Sequence, residues 1–279
     1  MFASLYTEFE AATTGPDHEV DLFGAAMTVS RLSGREIDIH SYARRLDLVA
    51  DAAREHAGDR SDPGGLVQAI DHQLFSVLRF HGAAPNFNDP MNSFLAEVID
   101  RREGIPISLS LVYMEVAQRL GLRCEGIGYP RHFIVRCGDP GNPIYVDPFN
   151  QGARLDQQEL FAGMRGMNLG GATPESFLCA VTRRQILQRM LTNLQVLFRE
   201  ARDLERWLAV VELRLRIEPW NAVLVGERGM LHYRMGSPAL ALADLERYVD
   251  SGGREAAASG AIRLLNELRS RHGTAEETL

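Results

Sequence analysis

Residues 104–147 read GIPISLSLVYMEVAQRLGLRCEGIGYPRHFIVRCGDPGNPIYVD, and the spacing of their apolar residues changes once, near Gly121. Before that glycine, Ile107, Leu109, Leu111, Val112, Met114, Val116, Ala117 and Leu120 put apolar side chains nearly all round a helix, which is therefore expected to be buried on most sides. Pro106 fits its first turn, where a missing N–H is no loss, and Gly121 is a natural C-terminal stop. After Gly121 the period shortens. Cys124–Gly128, His132–Cys137 and Ile144–Val146 are β-branched or alternating and read as strands. Gly138-Asp139-Pro140-Gly141 reads as a hairpin loop. If four residues form it, Cys137 pairs with Asn142, and counting outward sets His132 opposite Asp147. A single cluster of strand-period segments inside helical sequence predicts an α+β fold, with a small antiparallel sheet packed on the 106–120 helix.

On the N-terminal side, residues 17–80 read as helical. Val20, Phe23, Ala26 and Met27 recur at helix spacing, as do Tyr42, Leu46 and Val49, with Asp38 or Ser41 as a cap for the second run. Gly58 to Gly65 is a break, and Leu66 to Phe80 a further amphipathic helix. Residues 81–91 read as a loop and Ser93 to Arg101 as a short helix. On the C-terminal side, Gly163 to Pro174 reads as a linker without phosphate-loop spacing. From Thr182 the chain is helical again, with a repeat of about 34 residues that resembles a tetratricopeptide (TPR) array: Gly229, Tyr233 and Gly236 fit, whereas Trp207 stands where a small residue is usual. A last helix is expected over about Glu255 to Arg269. The expected division is an N-terminal helical region at 1–80, a central core at 81–175 and a TPR-like array at 182–275.

The composition is that of an ordinary globular chain: 279 residues, 45% hydrophobic, 24% charged, net charge −7. The acidic balance argues against a general nucleic-acid binder. No apolar run is long enough to span a membrane, and Met1 to Glu10 lacks the basic start of a signal peptide, so a cytoplasmic protein is expected. Three cysteines do not make a disulfide framework. All 30 basic residues are arginine, which excludes any self-crosslink through a lysine amine.

His132 and Asp147 are the attractive chemical pair, since a carboxylate on one imidazole nitrogen fixes the tautomer and supports the cation. Several blocks around them occur in order: Asn92-Ser93-Phe94-Leu95, Arg102 with Gly104-Ile105-Pro106-Ile107-Ser108, Leu120-Gly121-Leu122, Pro130 with His132-Phe133, and Val146-Asp147-Pro148-Phe149-Asn150. In these the chain resembles the bacterial SirB-type family, in which a transglutaminase-like, papain-related core precedes TPR repeats. The resemblance implies a Cys-His-Asp layout with the cysteine at the start of the central helix. That place, two residues after Gly104 and fifteen before Gly121, is held by Pro106. Proline has no nucleophile and no N–H to stabilise an oxyanion.

His132 and Asp147 are thus the candidate remains of a triad, against a plain structural pairing. Ser108 is the substitute nucleophile to consider and Ser110 a weaker one; both are also small residues suited to a crowded helix. Arg131 and Asn150 are candidate ligand-binding side chains; Arg131 and Arg136, which flank the histidine, could bind an anionic group, against being solvated or paired with nearby acids. Cys124 and Cys137 read as buried strand thiols. His18, His40, His56 and His72 are scattered, and no spacing supports a metal or other cofactor. Two functions are open. One is a non-catalytic protein that binds a protein or peptide partner through its TPR-like surface and core groove. The other is a hydrolase or acyltransferase on amide bonds that uses His132, Asp147 and a non-standard nucleophile.

Overall fold

The computed structural model describes residues 2–251 and 260–276. Twelve α-helices are described: α1 (Ala3–Thr13), α2 (Leu22–Ser30), α3 (Ile39–Ala57), α4 (Pro63–Asp71), α5 (Leu95–Arg101), α6 (Pro106–Arg119), α7 (Gln157–Gly163), α8 (Arg183–Glu200), α9 (Leu204–Ile217), α10 (Ala222–Arg234), α11 (Pro238–Asp250) and α12 (Ala261–Glu276). The described strands are β1 (His81–Gly82), β2 (Glu103–Gly104), β3 (Cys124–Ile127), β4 (Ile134–Cys137), β5 (Ile144–Asp147) and β6 (Ala153–Leu155). Of the expected last helix, residues 255–259 lie outside the described residues. The chain divides into two compact units, one of Thr7–Met190 and one that joins Met1–Tyr6 to Leu191–Leu279.

The first unit is α+β. Its larger sheet is antiparallel throughout, in the order β3-β4-β5-β6. Helix α6 packs on β3 and β4 and is surrounded by α3, α4 and α5. Ile107, Leu109, Leu111, Val112, Tyr113, Val116 and Ala117 are all buried, as an all-round apolar helix requires. Ile127, Ile134, Tyr145, Leu160, Met164 and Leu178 form a separate apolar cluster that draws in α7 and the turn at Pro174–Leu178. Pro106 is the first residue of α6, and Gly121 ends the helix with φ of 74°.

Several local expectations are corrected. Helix α4 starts inside the expected break, because Asp62 caps it through the Gly65 N–H (3.0 Å) and Pro63 suits its first turn. It ends at Asp71 in a wide π turn, His72–Val77, rather than running to Phe80. His81–Gly82 and Glu103–Gly104, read as loop and helix break, form a two-residue parallel pairing. The hairpin register moves by two: Cys137 pairs with Ile144, not Asn142. Pro143 has no N–H for the ladder, and the Asn142 N–H instead closes a turn on the Asp139 carbonyl (3.0 Å). Strand β6 and helix α7 were not anticipated.

The second unit is a helical array. Helix α10 packs on α9 and α11, and α11 on α12, around Ala241, Leu245, Tyr248, Ala261, Leu264, Leu265 and Leu268. Gly226 lets α10 lie against the Tyr248 ring, where a Cβ would come within 2.7 Å of ring carbon. Trp207 is buried and donates from Nε1 to Glu227 of α10 (2.6 Å), which satisfies the indole N–H that burial removes from water. Arg228 binds both oxygens of Asp244 at 2.7 Å. Tyr6 lies under the Arg216 guanidinium, 4.3 Å from it. Among the described residues no helix is long and apolar enough to cross a membrane.

Candidate functional site

The site is built at the N-terminal end of α6. Pro106 is buried there. Ser108, one turn in, has no exposed surface. Its hydroxyl donates to the Asn92 carbonyl (2.7 Å) and accepts from the Ile105 N–H (3.1 Å). It thereby satisfies one of the four amides that every helix start leaves unpaired. Ser110 is likewise buried and reaches the Phe133 carbonyl at 3.5 Å, which ties α6 to the chain just after His132.

His132 is not on a strand. It closes a turn in which its own N–H donates to the Tyr129 carbonyl (3.0 Å), with Pro130 and a left-handed Arg131 (φ 61°) between them. The imidazole nevertheless reaches Asp147, the last residue of β5: Nε2 donates to Oδ2 at 2.8 Å. A shift of two in register leaves side-chain parity unchanged, so the two residues stay on one face.

Asp147 is almost fully buried and accepts four hydrogen bonds. Oδ2 takes His132 and the Asn150 amide (2.8 Å); Oδ1 takes the N–H groups of Phe149 (3.1 Å) and Asn150 (3.2 Å). Burial opposes its ionisation, but the hydrogen bonds from His132 and Asn150 outweigh it, and the carboxyl is held below its ordinary value. An ionised carboxylate only accepts, so Nε2 carries the proton. Nδ1 is then the basic nitrogen. It has no hydrogen-bond partner among the described residues, and the side chain is 25% exposed.

Three contacts link this pair to the helix start. Phe149 meets the His132 ring edge to face at 5.9 Å. Its ring and carbonyl lie against Gly82, where a Cβ would sit only 2.7 Å away. Gly82 in turn pairs with Gly104, two residues before Pro106. The two-residue parallel pairing therefore brings the β5 turn next to the start of α6. From the other side, Arg189 of α8 donates to the His132 carbonyl (2.7 Å) and lies 5.5 Å from the Phe133 ring. Burial depresses this guanidinium. Sequence reasoning misses Arg189.

Arg131 is exposed and makes no hydrogen bond or ion pair among the described residues. Asn150 is committed to Asp147. Arg136 pairs with Glu125 (2.7 Å) on the neighbouring strand. Of the scattered histidines, His56 and His72 stack at 3.9 Å. Among the described residues no three His, Cys, Asp or Glu side chains gather as metal ligands.

Residues 40–192 match the family model of the transglutaminase-like superfamily, and residues 194–266 that of the tetratricopeptide repeat. A UPF0162 protein of Xylella fastidiosa is 30% identical over 85% of this chain and 85% of its own. A UPF0162 protein of Vibrio cholerae is 29% identical over 83% and 86%. F-box only protein 21 of Mus musculus is 31% identical over 61% of this chain, which is 28% of that protein. No solved structure matches.

Proposed function

The chain belongs to the transglutaminase-like superfamily, and from that premise we propose that it is a non-catalytic, SirB-type member that works in the cytoplasm by holding a protein or peptide partner. The observation that carries this reading is Pro106. The first position of the buried helix, where the resemblance places a cysteine, offers neither an attacking atom nor an amide proton for an oxyanion. Ser108 is a poor substitute: its hydroxyl proton is spent on the Asn92 carbonyl and its lone pair on the Ile105 N–H. Asp147 has a structural task besides orienting His132, since it also caps its own turn. TPR arrays present surfaces suited to a peptide or a helix, and the repeat unit supplies one here.

A second reading, amide-bond chemistry with another nucleophile, draws on the free, partly exposed Nδ1 of His132, which is where a general base needs its lone pair. Amine incorporation into a glutaminyl peptide, and hydrolysis of the same peptide, separate the two. The first reading expects no rate above buffer, with no difference between the native protein and His132→Ala. A rate that disappears in His132→Ala establishes the second.

A further inference from the structure

We propose that Cys124 and Cys137 are a redox-active pair that closes a cross-strand disulfide on encountering a small-molecule disulfide such as oxidised glutathione. The two residues are direct partners across β3 and β4. The Gly138 N–H donates to the Arg123 carbonyl (2.9 Å), so the flanking 123–138 pair is the hydrogen-bonded one. The 124–137 pair is then a non-hydrogen-bonded site. There Cα atoms approach to about 4.5 Å, inside the roughly 4.4–6.8 Å range that a disulfide spans. The sulfurs lie 3.0 Å apart, as free thiols.

Access to the two is unequal, which sets the order of events. Cys137 is fully buried. Cys124 is the less buried of the two and borders a cavity of about 970 Å³ at the C-terminal end of α6, alongside Glu115, Arg119, Gly121 and Glu125. A small disulfide therefore meets Cys124 first. The Cys124 thiolate attacks one sulfur of oxidised glutathione and expels one glutathione thiolate, giving a mixed disulfide. Cys137 then gives up its proton and attacks the Cys124 sulfur, expelling the second glutathione. In sum, two protein thiols and one oxidised glutathione become one protein disulfide and two reduced glutathiones. Burial and the neighbouring thiol push the Cys124 thiol well up, so the first step accelerates as pH rises. The bond would enclose residues 125–136 and with them the turn that carries His132. Cys179 is exposed and has no second thiol beside it among the described residues, so it cannot follow the same course.

The test uses the full chain as Cys179→Ser, treated with oxidised glutathione in the folded state and read by intact mass and by non-reducing tryptic digestion. The expected result is the loss of two hydrogens and a linked pair of peptides, Cys124–Arg131 with Cys137–Arg154. In Cys137→Ser the same treatment should leave a lasting glutathione adduct on Cys124. The unsubstituted chain gives the same linked peptides with an adduct at Cys179, which covers a folding failure of either variant. Two free thiols after treatment, or a lasting adduct on Cys124 while Cys137 is present, would overturn the proposal.

Discussion

Pro106 and Asp147 concentrate the chemistry into two testable residues. Proline is favourable at the first position of α6 but not required there, so Pro106→Cys should fold and should return both a thiol and its N–H. If the His132–Asp147 pair can still draw a proton, that thiol should alkylate about tenfold faster than Cys179. The excess should vanish in Pro106→Cys with His132→Ala; equal rates in the two backgrounds would show that the pair is structural. Asp147 gives a stability test of the same pair. Asp147→Asn sets an amide donor against some of the donors that now point at the carboxylate, at an expected cost of about 2 kcal/mol in denaturant unfolding. Because the folded carboxyl lies below its unfolded value of 3.8, its contribution is fully present above that pH and is lost as pH falls through the lower folded value. The native protein should therefore lose stability in acid more steeply than Asp147→Asn, a difference readable from unfolding midpoints across a pH series.

Among the elements, helix α6 and the antiparallel sheet were legible because their apolar periods are long or cleanly alternating. A four-residue loop count misplaces the hairpin by two residues because Pro143 has no N–H for the ladder. That error was harmless to the pairing of His132 with Asp147, since an even shift preserves the face. His132 reads as a strand residue in the sequence because nothing in its side chain shows that Arg131 before it adopts a left-handed backbone. Strand β6 (Ala153–Leu155), three residues long, is too short to announce itself. The β1–β2 pairing has only two residues per strand, and its partners lie far apart in sequence. It is also the element that carries Phe149 against the helix start, which gives it a test. Gly82→Ala places a Cβ within 2.7 Å of the Phe149 ring and carbonyl. The displaced loop should cost about 2 kcal/mol and weaken the contact with His132, seen as a changed imidazole resonance in NMR. An unchanged resonance and stability would separate that strand pair from the site. Arg189 was invisible for another reason: only the fold brings a helix arginine to the carbonyl of residue 132.

At the scale of the molecule, the division into units does not follow chain order. The segment up to Tyr6 belongs with the repeats, and helix α1 passes from one unit to the other. Burial, with the nearby Glu212 carboxylate, pushes the Tyr6 phenol up to about 12 against the pull of Arg216. A phenol whose folded value is raised stabilises fully below its unfolded value and loses that contribution as pH rises through the folded one. Unfolding midpoints of the repeat unit should thus fall between about pH 10 and pH 12, and Tyr6→Phe should flatten that fall; an identical slope in both proteins would detach the N-terminal segment from the array. The same arrangement governs how the chain is made. Tyr6 leaves the ribosome long before Arg216 exists, so the first turns of α1 must wait, partnerless, while the whole inserted α+β unit is synthesised. The repeat array can finish assembling only once its last helix has been made, and a fragment that stops at Met190 leaves Tyr6 without the guanidinium that covers it.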